Sequence, residues 1–134
     1  MKTIAVLGTG NVAQTIAVDM KAKGQEVRLF APDYLFSRFQ TIAISHEIEC
    51  VGEFNAKEKI DVVTSNIDEA VKGADYIIVC VPGNRHEEFA KILKGHTTAE
   101  QIVITFNGWM ASLIYKNVWG DDPTCPIFVE STIP

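Results

Sequence analysis

Short hydrophobic runs alternate along this chain with stretches of helical periodicity. The first run, Thr3 to Leu7, predicts a strand. In the next stretch Val12, Ile16 and Met20 recur every four residues and form one apolar stripe. This periodicity predicts a helix from Asn11 to about Lys23 that packs on a sheet. The alternation of strands and helices indicates βαβ units and a parallel sheet.

The remaining segments continue this alternation to the end of the chain. The further predicted strands are Glu26 to Phe30, Ile60 to Thr64, Asp75 to Val81, Gln101 to Phe106 and Pro126 to Glu130. The further predicted helices are Phe36 to Ile44, Asn66 to Val71, His86 to Lys94 and Trp109 to about Val118. Ile48 to Phe54 and Lys57 to Thr64 alternate around Asn55-Ala56, which predicts a β-hairpin before the third strand. Six strands with helices between them predict a doubly wound α/β domain of the Rossmann type, in three αβα layers, over residues 1–134.

Composition excludes several classes of partner. The net charge of −5 lacks the clustered Lys and Arg that phosphate backbones require, so nucleic acid is not an expected partner. The longest apolar run, Tyr76 to Pro82, is far shorter than the roughly 20 residues of a membrane-spanning helix. No secretory signal precedes the first strand, so we expect a cytoplasmic protein. The three cysteines lack C-x-x-C spacing, which predicts reduced thiols and no metal site.

The turn between the first predicted strand and helix has the pattern G-x-G-x-x-A and runs Gly8-Thr9-Gly10-Asn11-Val12-Ala13. Gly8 permits a tight turn, and Gly10 lacks a side chain that would block a diphosphate. Free amides near Asn11 and Val12 are then placed to bind diphosphate oxygens. A turn of this kind between a strand and a helix predicts a site for NAD or NADP, to which Thr9 also contributes. An ordinary glycine turn without a ligand is the alternative.

The residues after the second strand bear on the choice between NAD and NADP. An acid there binds the 2′-hydroxyl of the adenosine ribose and repels a 2′-phosphate, whereas an arginine accepts the phosphate. Ala31 follows the strand directly, Asp33 comes two residues later, and Arg38 lies where a loop can bring it back. The sequence favours NAD narrowly, with Asp33 as the ribose partner. Capping of a helix by Asp33 is an equal alternative.

Residues after strands four to six are expected to line the nicotinamide pocket, because ligands of doubly wound sheets lie at the carboxyl ends of the strands. The predicted lining residues are Val81, Pro82, Gly83, Asn107, Gly108 and Glu130. Reduction of a carbonyl or imine also needs a proton donor. His86, near the start of the fourth helix, is the best-placed histidine, although a role in the pocket wall or at the surface is the expected one.

Together these features resemble the NAD/NADP octopine and nopaline dehydrogenases, the opine dehydrogenase family. The resemblance rests on Gly8-Thr9-Gly10-Asn11, Lys23-Gly24-Gln25-Glu26-Val27-Arg28-Leu29-Phe30, Asp61-Val62-Val63-Thr64, Val81-Pro82 with His86-Glu87-Glu88, and Glu130-Ser131-Thr132. It implies an oxidoreductase that joins an amino acid to a 2-oxo acid, with hydride from NAD(P)H. It also implies that the catalytic His and Asp belong to a following helical domain. Residues 1–134 are therefore expected to be the cofactor-binding half alone.

Two departures from the family pattern leave the cofactor and the substrate open. Ala31 replaces a polar residue after the second strand, and Phe106-Asn107-Gly108-Trp109 replaces a segment with proline and further glycines. The main alternative is a free-standing module that senses NAD(H) or another nucleotide without catalysis. A binder of a nucleoside-sugar or of S-adenosyl-methionine is a third reading. Self-association into a homo-oligomer also stays open.

Overall fold

A computed structural model describes residues 1–131, and its centre is a parallel sheet of six strands. The strands in chain order are β1 (Thr3–Leu7), β2 (Glu26–Phe30), β3 (Glu47–Cys50), β4 (Ala56–Lys59), β5 (Val62–Thr64), β6 (Tyr76–Cys80), β7 (Ile102–Phe106) and β8 (Ile127–Ser131). The sheet runs β5-β2-β1-β6-β7-β8. The direction of winding therefore reverses between β1 and β6, as in a doubly wound fold. The predicted fold class is confirmed.

Helices cover both faces of this sheet. They are α1 (Asn11–Ala22), α2 (Asp33–Phe36), α3 (Gln40–Ser45), α4 (Ile67–Val71), α5 (His86–Leu93) and α6 (Ala111–Trp119). Within β1, Ile4 and Val6 belong to one apolar cluster with α1, whereas Ala5 and Leu7 belong to a second cluster with α4, α5 and α6. The central strand is therefore buried on both faces. None of the helices in residues 1–131 is long and apolar enough to cross a membrane.

The segment after β2 differs from the single helix predicted over Phe36 to Ile44. It consists of α2, a 3-10 turn at Ser37–Phe39, and α3. The helical segment begins at Asp33, three residues earlier than predicted, directly after the extended N-cap residue Pro32 (φ −63°, ψ 156°). Phe39, which is fully buried, leaves helical geometry at φ −101° and ψ 6°. Burial of this ring in the core thus divides the segment into short pieces.

The predicted hairpin is present as the antiparallel pair β3 and β4. The predicted second arm, Lys57 to Thr64, is divided between β4 of the hairpin and β5 of the main sheet. The division falls between two neighbouring backbone amides. The amide of Ile60 donates to the carbonyl of His46 beside the hairpin (2.8 Å). The amide of Asp61 donates instead to Val27 of β2 (3.1 Å). The third strand of the main sheet, β5, therefore begins two residues later than the predicted Ile60.

The last helix starts later than predicted. Helix α6 begins at Ala111 rather than at Trp109, because Met110 adopts a left-handed conformation with φ 62°. The motif residue Thr132 and the predicted domain end at Pro134 lie outside the described residues.

The buried side chain of Gln101 joins three backbone segments at the amino edge of the sheet. Its Nε2 donates to the carbonyls of Val71 (2.7 Å) and Ala74 (2.9 Å), and its Oε1 accepts from the amide of Thr98 (2.9 Å). We predict that Gln101→Leu lowers the free energy of unfolding by about 1–3 kcal/mol, because the carbonyls of Val71 and Ala74 each lose the hydrogen bond from Nε2, although the amide of Ala74 still donates to Val71. Chemical denaturation measures this loss, with the exposed neighbour variant Glu100→Ala as control. Equal stability of the two variants would contradict the prediction.

Candidate functional site

Gly8 brings the turn between β1 and α1 against the end of β6. Its φ of +142° is one that side-chain-bearing residues rarely adopt. A Cβ at this position would overlap the carbonyl oxygen of Cys80 and lie 3.3 Å from the Cβ of Ala13. The Gly8 amide donates to the carbonyl of Phe30 at the end of β2 (3.0 Å). Glycine is therefore required here for the packing of three neighbouring segments.

Gly10 serves a different purpose, because it leaves space at the start of α1. It is the N-cap residue in an extended conformation (φ −82°, ψ 177°), and no side chain of the described residues caps the helix. A Cβ on Gly10 would meet no atom of the other residues in the described part of the chain within 4 Å. The amides of the first turn point out of a helix start and carry its positive dipole end. The turn is thus an open anion-binding position.

Two clefts flank this turn at the carboxyl edge of the sheet. The β2-side cleft, of about 210 Å³, is lined by Gly8, Thr9, Gly10, Leu35, Arg38, Cys80, Val81, Pro82, Arg85 and Phe89. The β7-side cleft, of about 370 Å³, is lined by Gly10, Asn11, Val12, Cys80, Val81, Pro82, Phe106 and Asn107. Both share Gly10 and the segment that ends β6. They therefore meet where the strand order reverses, which is the position of ligands in doubly wound folds.

Most of the predicted cofactor-binding residues line these clefts. Those in the β2-side cleft are Gly8, Thr9, Gly10, Arg38, Val81 and Pro82. Those in the β7-side cleft are Gly10, Asn11, Val12, Val81, Pro82 and Asn107. The structure thus brings together residues from four separate segments. The predicted residues that line neither cleft are Asp33, Gly83, Gly108 and Glu130.

Three of these four residues lie in turns or at a helix start, where their exposure or packing is clear. Asp33 is exposed in the first turn of α2. Gly83 is exposed at the start of a 3-10 turn, and a Cβ there would meet no atom within 4 Å. Gly108 is buried, and a Cβ there would lie 2.7 Å from the hydroxyl oxygen of Thr105. Close packing under the loop after β7 therefore accounts for glycine at position 108.

Glu130 and His86 are held by contacts with α6. The carboxylate of Glu130 accepts hydrogen bonds from the amide (2.5 Å) and hydroxyl (2.6 Å) of Ser112, and these bonds lower the pKa of Glu130. His86 is 1% exposed, and its Nδ1 lies 3.3 Å from the hydroxyl oxygen of Tyr115. Burial lowers the pKa of His86 below its usual value. His86 is therefore a neutral, packed imidazole that lines neither cleft.

A cluster around Arg85 was not predicted from the sequence. The Nη1 of Arg85 donates to Glu88 (2.8 Å) and to the hydroxyl of Tyr34 (3.1 Å), and the guanidinium carbon lies 5.8 Å from the centre of the Tyr34 ring. The Tyr34 hydroxyl in turn donates to Glu88. The spacing of Arg85 and Glu88 by three residues could have indicated their pairing. No local pattern indicates Tyr34, which lies 51 residues away from Arg85.

The β7-side cleft offers almost no acid–base chemistry. Cys80 is the single ionisable side chain among its lining residues in the described part of the chain. Burial raises the pKa of the Cys80 thiol to about 12, so it stays protonated at neutral pH. Asn11 and Asn107 supply the polar amide groups. The cleft is thus a neutral, largely apolar compartment.

Comparisons with known proteins agree with this geometry. A sequence model of the family described as NADP oxidoreductase, coenzyme F420-dependent, matches residues 3–107. An opine dehydrogenase from Arthrobacter sp. (strain 1C) is 35% identical over 104 residues, which are 77% of this chain and 28% of that protein. The chain spans about a third of the length of the curated relatives it matches. The predicted resemblance to opine dehydrogenases is confirmed.

Solved structures show the same fold at low sequence identity. Octopine dehydrogenase in complex with NADH and agmatine superimposes with a TM-score of 0.84 at 19% identity, covering 96% of this chain and 34% of that one. Yersinopine dehydrogenase with NADP⁺ bound gives a TM-score of 0.73 at 18% identity, covering 97% of this chain and 34% of that one. The doubly wound architecture is therefore shared with both enzymes.

The two glycines of the turn are expected to respond differently to substitution. We predict that Gly8→Ala lowers the free energy of unfolding by about 1–3 kcal/mol or more, because the new methyl group overlaps Cys80 and φ is unfavourable. Gly10→Ala is expected to change it by less than about 1 kcal/mol, since its conformation and surroundings admit a side chain. Chemical denaturation of both variants tests this. A Gly8→Ala variant as stable as Gly10→Ala would contradict the assigned packing.

Proposed function

The chain belongs to the family described as NADP oxidoreductase, coenzyme F420-dependent, and from this we propose that it forms the NAD(P)-binding domain of an opine-type dehydrogenase. The observation that carries the proposal is the uncapped start of α1 between two connected clefts. Backbone amides and the helix dipole bind phosphate without a lysine. Gly10 leaves open the space that a diphosphate needs. The residues present therefore fit a dinucleotide.

The different walls of the two clefts support an orientation for the dinucleotide. The β2-side cleft holds Arg38 and Arg85 beside the ring of Phe89, which suits the adenosine half. The neutral β7-side cleft, with Phe106 and Asn107, suits the nicotinamide. When bound, the dinucleotide supplies the hydride that reduces an imine or a 2-oxo acid. The protein holds the diphosphate between the clefts and keeps charge away from the reacting end.

The proposed substrates are a small 2-oxo acid and an amino acid. The support comes from the names of the relatives and from neighbouring structures of octopine dehydrogenase with pyruvate or L-arginine. In such a reaction the amino group condenses with the 2-oxo carbonyl, water leaves, and hydride plus a proton reduce the imine to a secondary amine. Cytoplasmic location and self-association stay predictions.

The proton for this reduction must come from outside the described β7-side cleft. Its thiol is too weak an acid at neutral pH, and the carboxyl group of Glu130 is ionised and held by Ser112. We therefore propose that the proton donor lies in a further substrate-binding part of the whole protein. The same observation favours a second candidate function, a module that binds NAD(H) or another nucleotide without chemistry.

We predict that Gly10→Val abolishes NADH and NADPH binding while leaving the fold intact, because the side chain fills the space at the start of α1. Isothermal titration calorimetry measures the binding, and thermal melting checks the fold. Ala99→Val is the control, because it places the same side chain at an exposed position just before β7, at the opposite edge of the sheet. Unchanged affinity in Gly10→Val would remove the basis of the proposed site.

We further predict that the 134-residue chain binds NAD(P)H but does not consume it when pyruvate and L-arginine are added. The expected rate equals that of a protein-free control, because the β7-side cleft lacks a proton donor. NAD(P)H absorbance measures the rate. Turnover above the control would show that the chain carries its own donor. Expression from the full natural reading frame then separates the two candidate functions, since turnover is expected for the dehydrogenase and not for the binding module.

A further inference from the structure

Among the described residues, the wall of the β2-side cleft has two cationic side chains and no acidic one. Arg38 is exposed and makes no hydrogen bond or ion pair with any residue among 1–131. Arg85 approaches from the loop after β6, so the two guanidinium groups come from opposite sides of the reversal in strand order. Two cations that line one small cleft repel each other. An anion bound between them would relieve that repulsion.

Arg85 is fixed in place without using its full capacity to donate. A guanidinium has five N–H donors in a planar fork. Both described bonds of Arg85, to Glu88 and to Tyr34, use Nη1. Its Nε and Nη2 therefore keep three N–H groups, which match the oxygens of a phosphate monoester. Both oxygens of Glu88 take part in this cluster, because one accepts from Tyr34 and the other from Arg85.

The position that usually selects NAD holds no acid in this chain. Ala31 directly follows β2, is fully buried, and its amide donates to the carbonyl of Thr64 (3.2 Å). Asp33 lies outside the cleft. A 2′-phosphate would thus meet arginines rather than a carboxylate, and a 2′-hydroxyl would lack its usual acceptor.

We propose that Arg38 and Arg85 bind the adenosine 2′-phosphate of NADP(H), with Tyr34 and Glu88 as positioning residues that hold Arg85. The inference rests on the proposed function and deepens it, because it names the phosphorylated dinucleotide as the cofactor. It also departs from the narrow preference for NAD that was predicted from Asp33. Selectivity here comes partly from the loop after β6, not from the end of β2 alone.

Calorimetric titration of the chain with NADPH and NADH tests the inference. We expect NADPH to bind at least about tenfold more tightly, because a 2′-phosphate gains charge-assisted hydrogen bonds. Arg38→Ala and Arg85→Ala are each expected to weaken NADPH binding about tenfold and to leave NADH binding within about twofold. Adenosine 2′,5′-bisphosphate and adenosine 5′-monophosphate serve as a second pair of probes that lack the nicotinamide, and the same preference is expected.

Two further variants separate positioning and general charge effects from direct binding. Tyr34→Phe removes only the hydroxyl that joins Arg85 to Glu88, so NADPH affinity should fall by about two- to fivefold while NADH affinity stays constant. Lys91→Ala removes one positive charge from an exposed pair with Glu87, outside the cleft, and should change neither affinity.

The possible failures are distinguishable from one another. Equal affinity for NADPH and NADH, with Gly10→Val still blocking both, would overturn the 2′-phosphate site and leave the proposed function standing. Equal losses of both dinucleotides in the arginine variants would likewise overturn it, because selectivity would not depend on those side chains. If neither dinucleotide binds, the proposed function fails and this inference falls with it.

Discussion

The close contact between Gly8 and the backbone of Cys80 sets the geometry of the whole carboxyl edge. Because Gly8 has no Cβ, the turn before α1 lies directly against the end of β6. Val81 and Pro82 follow at once and become the wall that both clefts share. A side chain at position 8 would push α1 away from β6 and separate the helix amides from that wall. The rest of the site depends on this approach.

In the proposed function, the two clefts divide the requirements of a redox dinucleotide between them. A phosphate needs donors and positive charge, which the β2-side cleft provides through Arg38 and Arg85. In the proposed function, the nicotinamide end needs a compartment without competing charge, and the proton donor lies elsewhere. The β7-side cleft meets that need, since burial keeps Cys80 protonated. One continuous site thus combines a charged end with a neutral one.

Local patterns in the sequence predicted most of the fold and the glycine turn. Strands β1 and β2 were placed without error because each short apolar run adjoins a glycine turn, with Gly8 directly after β1 and Gly24 shortly before β2. The helix predicted over Phe36 to Ile44 was wrong in its bounds, because burial of the Phe39 ring is a tertiary effect. The cluster around Arg85 was not predicted, because it too depends on a tertiary contact. Its partner Tyr34 is distant in sequence and meets it only through the winding of the sheet.

The electrostatics of the site are local rather than global. The chain carries a net charge of −5, so its overall field does not attract an anion. Recognition must come from donors within hydrogen-bond reach, since exposed charges farther away are screened within about 8–10 Å. Glu88 illustrates the principle, because its two oxygens face Tyr34 and Arg85 and it lies outside the cleft wall. A carboxylate placed behind an arginine orients that cation, whereas a carboxylate at the end of β2 would repel the same ligand.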